Sequence, residues 1–315
     1  MADEYEYIAA LRTLATDPAA RGLMDDAAVL PVGDIRLVLT SDTLVEGVHF
    51  LASDPADSIG WKLAAVNLSD LAAKGATPRA CLMNYALSGN DDWDADFLRG
   101  LRAALDIYGM PLIGGDTVAM PKGAPRSFTL TAIGEAGSGP VPARSGARAG
   151  DILYVTGPVG DSGAGLALLT AGQKPNDNPT TNCLIDAYRR PQPRLAQGQA
   201  LVPYVTAMMD ISDGLLIDAR RMGEASGVGI VIDHVPLSDA FIALHGPDAR
   251  IAAATSGDDY ELLFAAAPDV ALPVPAIAVG RCEAGVGLRL ILDGKPIPLP
   301  ERLGYQHTAY SERLT

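Results

Sequence analysis

Six aspartates stand where chemistry can be built: Asp26, Asp42, Asp70, Asp116, Asp210 and Asp213. Each lies where a short apolar run breaks into Gly, Ser, Thr or a second Asp, or on the polar stripe of an expected helix. Any one of them is most simply a helix cap or a turn former. Six in such settings, with few Lys or Arg in the motifs, point instead to carboxylates projecting into one cleft, where hard divalent cations such as Mg2+ hold phosphates.

The elements that must position them can be read from periodicity. Glu4 to Leu14 reads as a short amphipathic helix, and Leu23 to Leu30 as a turn that carries Asp25 and Asp26 into a strand. Ile35 to Thr40 is a β-rich run ending on Ser41-Asp42, which sets a hydroxyl and a carboxylate at a strand terminus. From Ser58, the segment SIGWKLAAVNLSDLAAKGATP reads as one helix, capped by Ser58 and stopped by Gly75 and Pro78. On it Leu63, Val66 and Ala73 face a core, while Asn67, Asp70 and Lys74 form a polar stripe aimed away from it. A helix over about 95–107 leads through Tyr108-Gly109 into the apolar run Met110 to Ile113. That run breaks at Gly114-Gly115-Asp116-Thr117, where two glycines let the backbone approach a ligand. Phe128 to Ile133 is a further strand.

Later in the chain, strand Ile152 to Thr156 is followed by GPVGDSGAG and a helix from near Gly163. The glycine loop lacks the Gly-Lys-Ser/Thr ending of a P-loop and the dinucleotide spacing, so tight strand-to-helix packing is its simpler reading. The segment MMDISDGLLIDARRMGEASG says more. Ser212 is set to cap a helix reaching about Ala225, with Asp210 and Asp213 on either side. Amides at a helix start favour phosphate, and the carboxylates favour its metal.

With 315 residues, 48% of them hydrophobic, the chain can bury full cores in two domains. Alternating strands and helices give an α/β or α+β class. The stretch GEAGSGPVPARSGARAG, residues 134–150, is dense in small residues and divides the chain into 1–140 and 141–315. A net charge of −14 argues against nucleic acid or an anionic membrane as partner. The first residues are acidic where a signal peptide is basic, and no apolar run reaches the roughly 18 residues of a membrane span, so the expected location is cytoplasmic. Cys81, Cys183 and Cys282 are odd in number and widely spaced, which supports neither a zinc site nor a disulfide framework.

Taken together, the motifs resemble a family. Asp25-Asp26-Ala27-Ala28-Val29-Leu30, the run TSDTLVEGVHF at 40–50, Asn67-Leu68-Ser69-Asp70-Leu71-Ala72-Ala73, Gly114-Gly115-Asp116-Thr117, Arg144-Ser145-Gly146-Ala147, DISDGL at 210–215 and Asp259-Tyr260-Glu261-Leu262 closely resemble the thiamine-monophosphate kinases. These belong to the aminoimidazole ribonucleotide synthetase-like superfamily. The resemblance runs from the first helix to Gly304-Tyr305-Gln306-His307.

It implies a two-domain α/β fold whose N-terminal domain forms a homodimer through a shared β-barrel and whose C-terminal domain closes over ATP. It also implies phosphorylation of thiamine monophosphate by ATP with several Mg2+ ions. Asp26, Ser41, Asp42, Asp70, Asp116, Asp210 and Asp213 match metal positions, with Thr40 beside them; Asp42, Asp70 and Asp210 are the catalytic candidates. Tyr108, Gly115, Asp116, Arg144 and Ser212 match contacts to ATP, and His49, Asp258 and Tyr305 match contacts to thiamine monophosphate. Arg144 is the expected fixed cation.

Three positions depart from the family pattern: Met24 where Gly is common before the Asp pair, Asp258 where Glu is common, and Lys74 where Met is usual, read here as a solvated replacement. Two alternatives remain: another ATP-dependent synthetase of the superfamily, and a non-catalytic ATP or thiamine-phosphate binding protein. No early Cys or C-terminal Cys tail favours the first, and no metal-type Asp is lost to favour the second.

Overall fold

Residues 4–307 are described by the structure, a computed structural model, with backbone only for Glu4 and Tyr5. The first half of the chain builds one mixed sheet from β1 (Ala28–Val32), β2 (Ile35–Val45), β3 (Thr77–Leu87), β4 (Leu112–Ala119) and β5 (Ser127–Glu135), in the order β1-β2-β5-β3-β4. Only β3 and β4 pair in parallel. The helices of this half are α1 (Glu4–Leu11), α2 (Ala56–Ala73) and α3 (Asp91–Tyr108).

One face of this sheet is covered and the other is open. Along β2, Val38, Thr40 and Leu44 are buried whereas Ser41 and Thr43 are exposed, the two-residue alternation of a half-covered strand. Thr43, Leu44 and Val45 continue that alternation, so β2 runs past the expected end, and Thr40, Ser41 and Asp42 lie within the strand. Likewise β4 does not break at Gly114-Gly115. Its pairing with β3 extends from Leu112 to Ala119, and ladder bonds outweigh the glycines' weak strand preference. No closed barrel forms among the described residues; β1 and β4 are free edges of an open sheet.

The central element is α2. All its residues except Asp57 and Asp70 are buried, because α3, β2 and β5 pack on one side and α6 (Leu195–Leu201) and β7 (Val205–Asp210) on the other. The expected division into a core stripe and a solvent stripe therefore fails. A helix enclosed on every side has no wet face, and its polar residues are buried with the rest. The helix begins at Ala56 after Pro55, not at Ser58, whose hydroxyl donates to Pro55 O at 2.7 Å. Gly60 and Gly100 allow α2 and α3 to touch: a Cβ would lie 2.1 Å from Phe97 O at the first and 1.7 Å from Asp57 O at the second.

Residues 136–151 hold no helix or strand and lead to a second sheet. Its strands are β6 (Ile152–Val155), β7, β8 (Gly229–Ile232), β9 (Leu262–Ala266), β10 (Ile277–Glu283), β11 (Leu288–Leu292) and β12 (Lys295–Ile297), in the order β12-β11-β8-β10-β6-β9-β7. The remaining helices are α4 (Asp161–Thr170), α5 (Pro179–Arg189), α7 (Leu215–Ser226), α8 (Asp239–His245) and α9 (Arg250–Ala254). One face of this sheet packs Val155, Met209 and Leu263 into its own core. The other face turns Met208, Leu262 and Phe264 toward the core around α2. The fold is thus two α/β domains with α2 between their sheets. No helix of the described residues is long and apolar enough to cross a membrane.

Candidate active site

Four elements converge at the C-terminal end of α2. The covered face of β2 presents Thr40 and Asp42, the last turn of α2 presents Asp70, the end of β7 presents Asp210, and the turn before β1 presents Asp26. The Thr40 hydroxyl donates to Asp70 Oδ2 and lies 3.4 Å from Asp26 O. The Asp42 backbone N–H donates to Asn67 Oδ1 at 3.1 Å, and the Ser69 hydroxyl donates to Asp210 Oδ2 at 2.6 Å.

Crowding shows in the acidities. Burial, reinforced by Asp42, Asp210 and Asp26, pushes the Asp70 carboxyl well above the usual carboxylate range. Burial also raises Asp210, with Asp26 adding to it. Asp42 is pushed up to about 6 by burial, with Asp26 and Asp213 contributing. Asp26 goes the other way: burial opposes its ionisation, but Lys74 and Arg144 together hold it below the usual range.

Lys74 overturns the expectation of a solvated residue. Its side chain has no exposed surface, and its ammonium donates to Asp25 Oδ1 and to Met208 O at 3.1 Å while facing Asp26 Oδ2 at 2.8 Å. It sits at the end of α2, where the turn before β1 and strand β7 close over it. The expected scarcity of lysine at the site fails a second time at Lys62, also buried on α2. Arg144 lies beside the same carboxylate, its Nη2 donating to Asp26 Oδ1 at 2.5 Å.

The loop after β7 holds the remaining acidic groups. Asp218 accepts from the backbone N–H groups of Asp213 and Gly214, each at 3.1 Å, and Arg221 pairs with both Asp213 and Asp218. The loop is organised by these side chains and not by a Ser212 cap: α7 starts at Leu215 with Gly214 before it and no side-chain cap, and Ser212 instead uses its carbonyl to accept from Asp258 N at 2.7 Å.

His49, Asp258 and Tyr305, chosen from different parts of the chain, gather in a second neighbourhood. Asp258 adopts a left-handed backbone (φ 68°), and its carboxylate is held by Lys62 Nζ at 2.7 Å and the Tyr260 hydroxyl at 3.0 Å. Lys62 also donates to His49 O at 3.1 Å. The His49 ring accepts from Val45 N at 3.1 Å, and burial pushes it down to about 4, so it is neutral at pH 7. His307 bridges the remaining gap, its ring centroid 5.4 Å from His49 and 5.0 Å from Tyr305. Tyr305 N donates to Asp213 O at 2.9 Å. Lys62 was not singled out from the sequence, and Tyr260 and His307 were named only within motifs and given no role; the available signal for Lys62 was a lysine among the apolar residues of the first turns of α2.

Other expected residues lie elsewhere. Ser41 points to the open face of the sheet, where its hydroxyl is 2.9 Å from Thr131 Oγ1. Gly115 is three strands from Asp42 through the register Asp42, Leu130, Met83, Gly115. At about 4.8 Å per strand that is roughly 14 Å. Asp116 lies in register with Asn84, Thr129 and Thr43 on the open face, and Tyr108 packs edge-on to Trp61 and lies 3.2 Å from Gln192.

Could these residues hold a cation? Among the described residues no three acidic, His or Cys groups form a ready-made cage. Mg2+ does not ask for one: it keeps several waters and binds through one or two carboxylates together with substrate phosphates. The all-oxygen donor set suits it, and two buried polar atoms lack hydrogen-bond partners, Asp26 Oδ2 and Arg144 Nε. The first already faces the Lys74 ammonium at 2.8 Å, and the second can meet an anion. A cavity of about 420 Å³ lined by Arg21, Met24, Asp25, Ala143, Ser145 and Ala225 adjoins them.

Residues 24–136 match the AIR synthase related protein N-terminal domain and residues 148–284 the corresponding C-terminal domain. Two such domains in this order place the chain in the AIR synthase related class. A relative from Salmonella typhimurium, thiamine-monophosphate kinase, is 40% identical over 91% of this chain and 92% of its own. The chain belongs to the thiamine-monophosphate kinase family. The solved structure of AaThiL complexed with AMPPCP and TMP superposes with a TM-score of 0.87 at 31% identity, covering 97% of each chain. That of the thiamine-monophosphate kinase from Stenotrophomonas maltophilia gives 0.77 at 38%, covering 93% of this chain and 96% of the other.

Proposed function

We propose that this chain transfers the γ-phosphoryl group of ATP to thiamine monophosphate, giving thiamine diphosphate and ADP. The observation that carries the reading is that the two neighbourhoods meet on one loop: Ser212 O takes Asp258 N, and Asp213 O takes Tyr305 N, one turn from Asp210. Phosphate-side and acceptor-side residues thus share a wall. Membership of the thiamine-monophosphate kinase family, and a relative solved with AMPPCP and TMP, support it.

In the transfer an oxygen of the acceptor phosphate bonds to the γ-phosphorus as the bond from that phosphorus to the β-phosphate oxygen breaks. The acceptor is already an anion near neutral pH, so no strong base is needed. The difficulty is charge: two unit charges about 4 Å apart repel by roughly 4 kcal/mol at an effective dielectric of 20. Mg2+ held by Asp42, Asp70 and Asp210, with Asp26 and Asp213 beside them, would supply the countercharge and alignment. Arg144 offers its unpaired Nε–H to a phosphate of ATP. Asp258, fixed by Lys62 and Tyr260, presents negative charge to the cationic thiazolium, and Tyr305 an aromatic face. His49, neutral, orients without adding repulsion.

We divide the domains at 1–140 and 141–315 and read the chain as a homodimer. The open face and edge of the first sheet leave Leu82, Leu112, Ile113 and Val118 exposed, an unpaired strand and apolar surface of the kind a second copy covers. Asp116 lies on that face and Gly115 beside it on the same exposed edge strand, so in this reading they reach a nucleotide at the aspartate cluster from the partner chain. The need for ATP places the reaction in the cytoplasm. Incubation of the purified protein with ATP, Mg2+ and thiamine monophosphate should yield thiamine diphosphate and ADP. ADP without thiamine diphosphate would replace this reading by hydrolysis or a sister activity.

A further inference from the structure

Around Asp26 the protein carries its own countercharge, whereas Asp42, Asp70 and Asp210 have no Lys or Arg paired with them among the described residues. Asp26 Oδ1 meets Arg144 at 2.5 Å and Asp26 Oδ2 faces Lys74 at 2.8 Å, while Arg21 and Lys74 both pair with Asp25. No ion pair joins a Lys or Arg to Asp42, Asp70 or Asp210 among the described residues, where the donors that reach Asp70 and Asp210 are the hydroxyls of Thr40 and Ser69. The side chains of Lys74 and Asp26 have 0% and 2% of their surface exposed. An ammonium buried this deeply must be matched by fixed acceptors, and it has three: Asp25, Asp26 and Met208 O.

We propose that Lys74 is a tethered cation standing where a divalent ion would otherwise bind between Asp25 and Asp26, so that the ions of this chain collect on the Asp42, Asp70 and Asp210 side. The inference rests on the reading of the cluster as a Mg2+ site and specifies which part of it takes metal. Lys74 is a positioning residue in this account: it touches the carboxylates, not the substrates. Its Nζ lies 2.8 Å from Asp26 Oδ2, the same oxygen that lacks a hydrogen bond, so it contacts that oxygen as a charge at the spot an ion would take. A dication there would face the ammonium with no solvent between, and the two cannot share the site. Met208 O ties the ammonium to β7 two residues before Asp210, so its position is set by the same strand that carries the cluster.

The test counts ions directly. Mn2+ binding to the metal-free protein, with AMPPCP present, is measured by calorimetry and by the loss of free-Mn2+ resonance signal. Lys74→Met keeps an unbranched side chain one atom shorter and removes the charge. It should bind one more Mn2+ per chain than the wild type, and the added ion should disappear in the double variant Lys74→Met/Asp26→Asn. Its metal-free form should melt lower, with Mn2+ restoring more stability than in wild type. Lys74→Gln, neutral but polar, should repeat the gained ion and provides the count if the Met variant is not recovered folded. Equal counts above zero in wild type and neutral variants overturn the role of Lys74 while leaving the metal site standing. No Mn2+ bound by any of them overturns both.

Discussion

The Ser69 hydroxyl donates to the Asp210 carboxylate at 2.6 Å, joining α2, the helix packed on the first sheet, to the last residue of β7 in the second. Both residues are buried. Among the described residues Asp210 makes no other side-chain hydrogen bond, and Ser69 lies one residue from Asp70 on the same helix. The spacing of the two carboxylates is therefore fixed by the packing of α2 against β7, and the site exists only while the two domains hold that contact.

Ser69→Ala should expose this dependence. It leaves a buried carboxylate without its donor, worth about 1.5–3 kcal/mol for a hydrogen bond to a charged group. We expect turnover to fall about tenfold or more, with the Michaelis constant for thiamine monophosphate nearly unchanged, because Asp258 and Tyr305 are untouched. Thermal denaturation and steady-state kinetics measure both. Loss confined to acceptor binding would place Asp210 on the wrong side of the reaction.

The metal-free protein should respond to pH through Asp42. Its folded pKa is raised to about 6 from 3.8, by burial first and then by Asp26 and Asp213. Between these values the folded state keeps a proton that the unfolded chain has lost, so this contribution to stability is present at the low end and is lost as pH rises toward about 6. Other groups shift in the same window, His49 in the opposite sense. The clean quantity is the melting temperature of wild type minus that of Asp42→Asn in EDTA. It should decline from pH 4 to pH 7 by several degrees; about 1 kcal/mol corresponds to roughly 2–4 °C for a chain of this size. A difference that grows with pH would mean that Asp42 is paired and not crowded.

Asp26, Asp42, Asp70 and Asp210 stood out in the sequence because their motifs break an apolar run or set a polar stripe on a helix, and hydrophobic periodicity marks such places wherever one face of an element is wet. That same signal misled at α2. Lying between two sheets, the helix buries Lys62, Asn67, Ser69 and Lys74 along with its leucines, and no stripe distinguishes a polar residue facing water from one facing a carboxylate. Strand alternation was a signal left unused: Ser41 and Asp42 are adjacent and must point to opposite faces, so their side chains could not both line one cleft. Gly114-Gly115 shows the limit of local chemistry, since the neighbouring strand decides where β4 ends. His307 lies two residues beyond Tyr305, and only the path of the C-terminal segment reveals that it meets His49.

Tyr305 depends on that path. A Cβ at Gly304 would lie 2.4 Å from Asp213 O, so the glycine is what lets the segment lie against the aspartate loop. Tyr305→Ala should raise the Michaelis constant for thiamine monophosphate about tenfold, equivalent to about 1.4 kcal/mol, with AMPPCP affinity by calorimetry nearly unchanged. Tyr305→Phe should be mild, since the ring remains. Gly304→Ala should give a larger loss and a lower melting temperature, because it moves both the ring and the loop. Equal losses for nucleotide and acceptor in Tyr305→Ala would assign the ring to packing.

Mixing two inactive variants tests whether the site spans a dimer. Asp42 lies on the covered face of the first sheet and Asp116 on its open face, so one chain does not bring both to one nucleotide. Asp42→Asn and Asp116→Asn should each fold and each lose most turnover. In a symmetric dimer formed from one chain of each kind, one site combines an intact Asp42 with the partner's intact Asp116, while the other carries both substitutions. Random exchange after mild unfolding and refolding of an equal mixture makes half the dimers mixed, so activity should recover to about a quarter of wild type. Refolding each variant alone should recover none. Absence of recovery in a mixture shown by mass spectrometry to contain mixed dimers would mean that Asp42 and Asp116 serve the same site within one chain, and near-wild-type turnover of Asp116→Asn alone would mean that Asp116 does not serve it; either result would remove the partner's contribution from the reading.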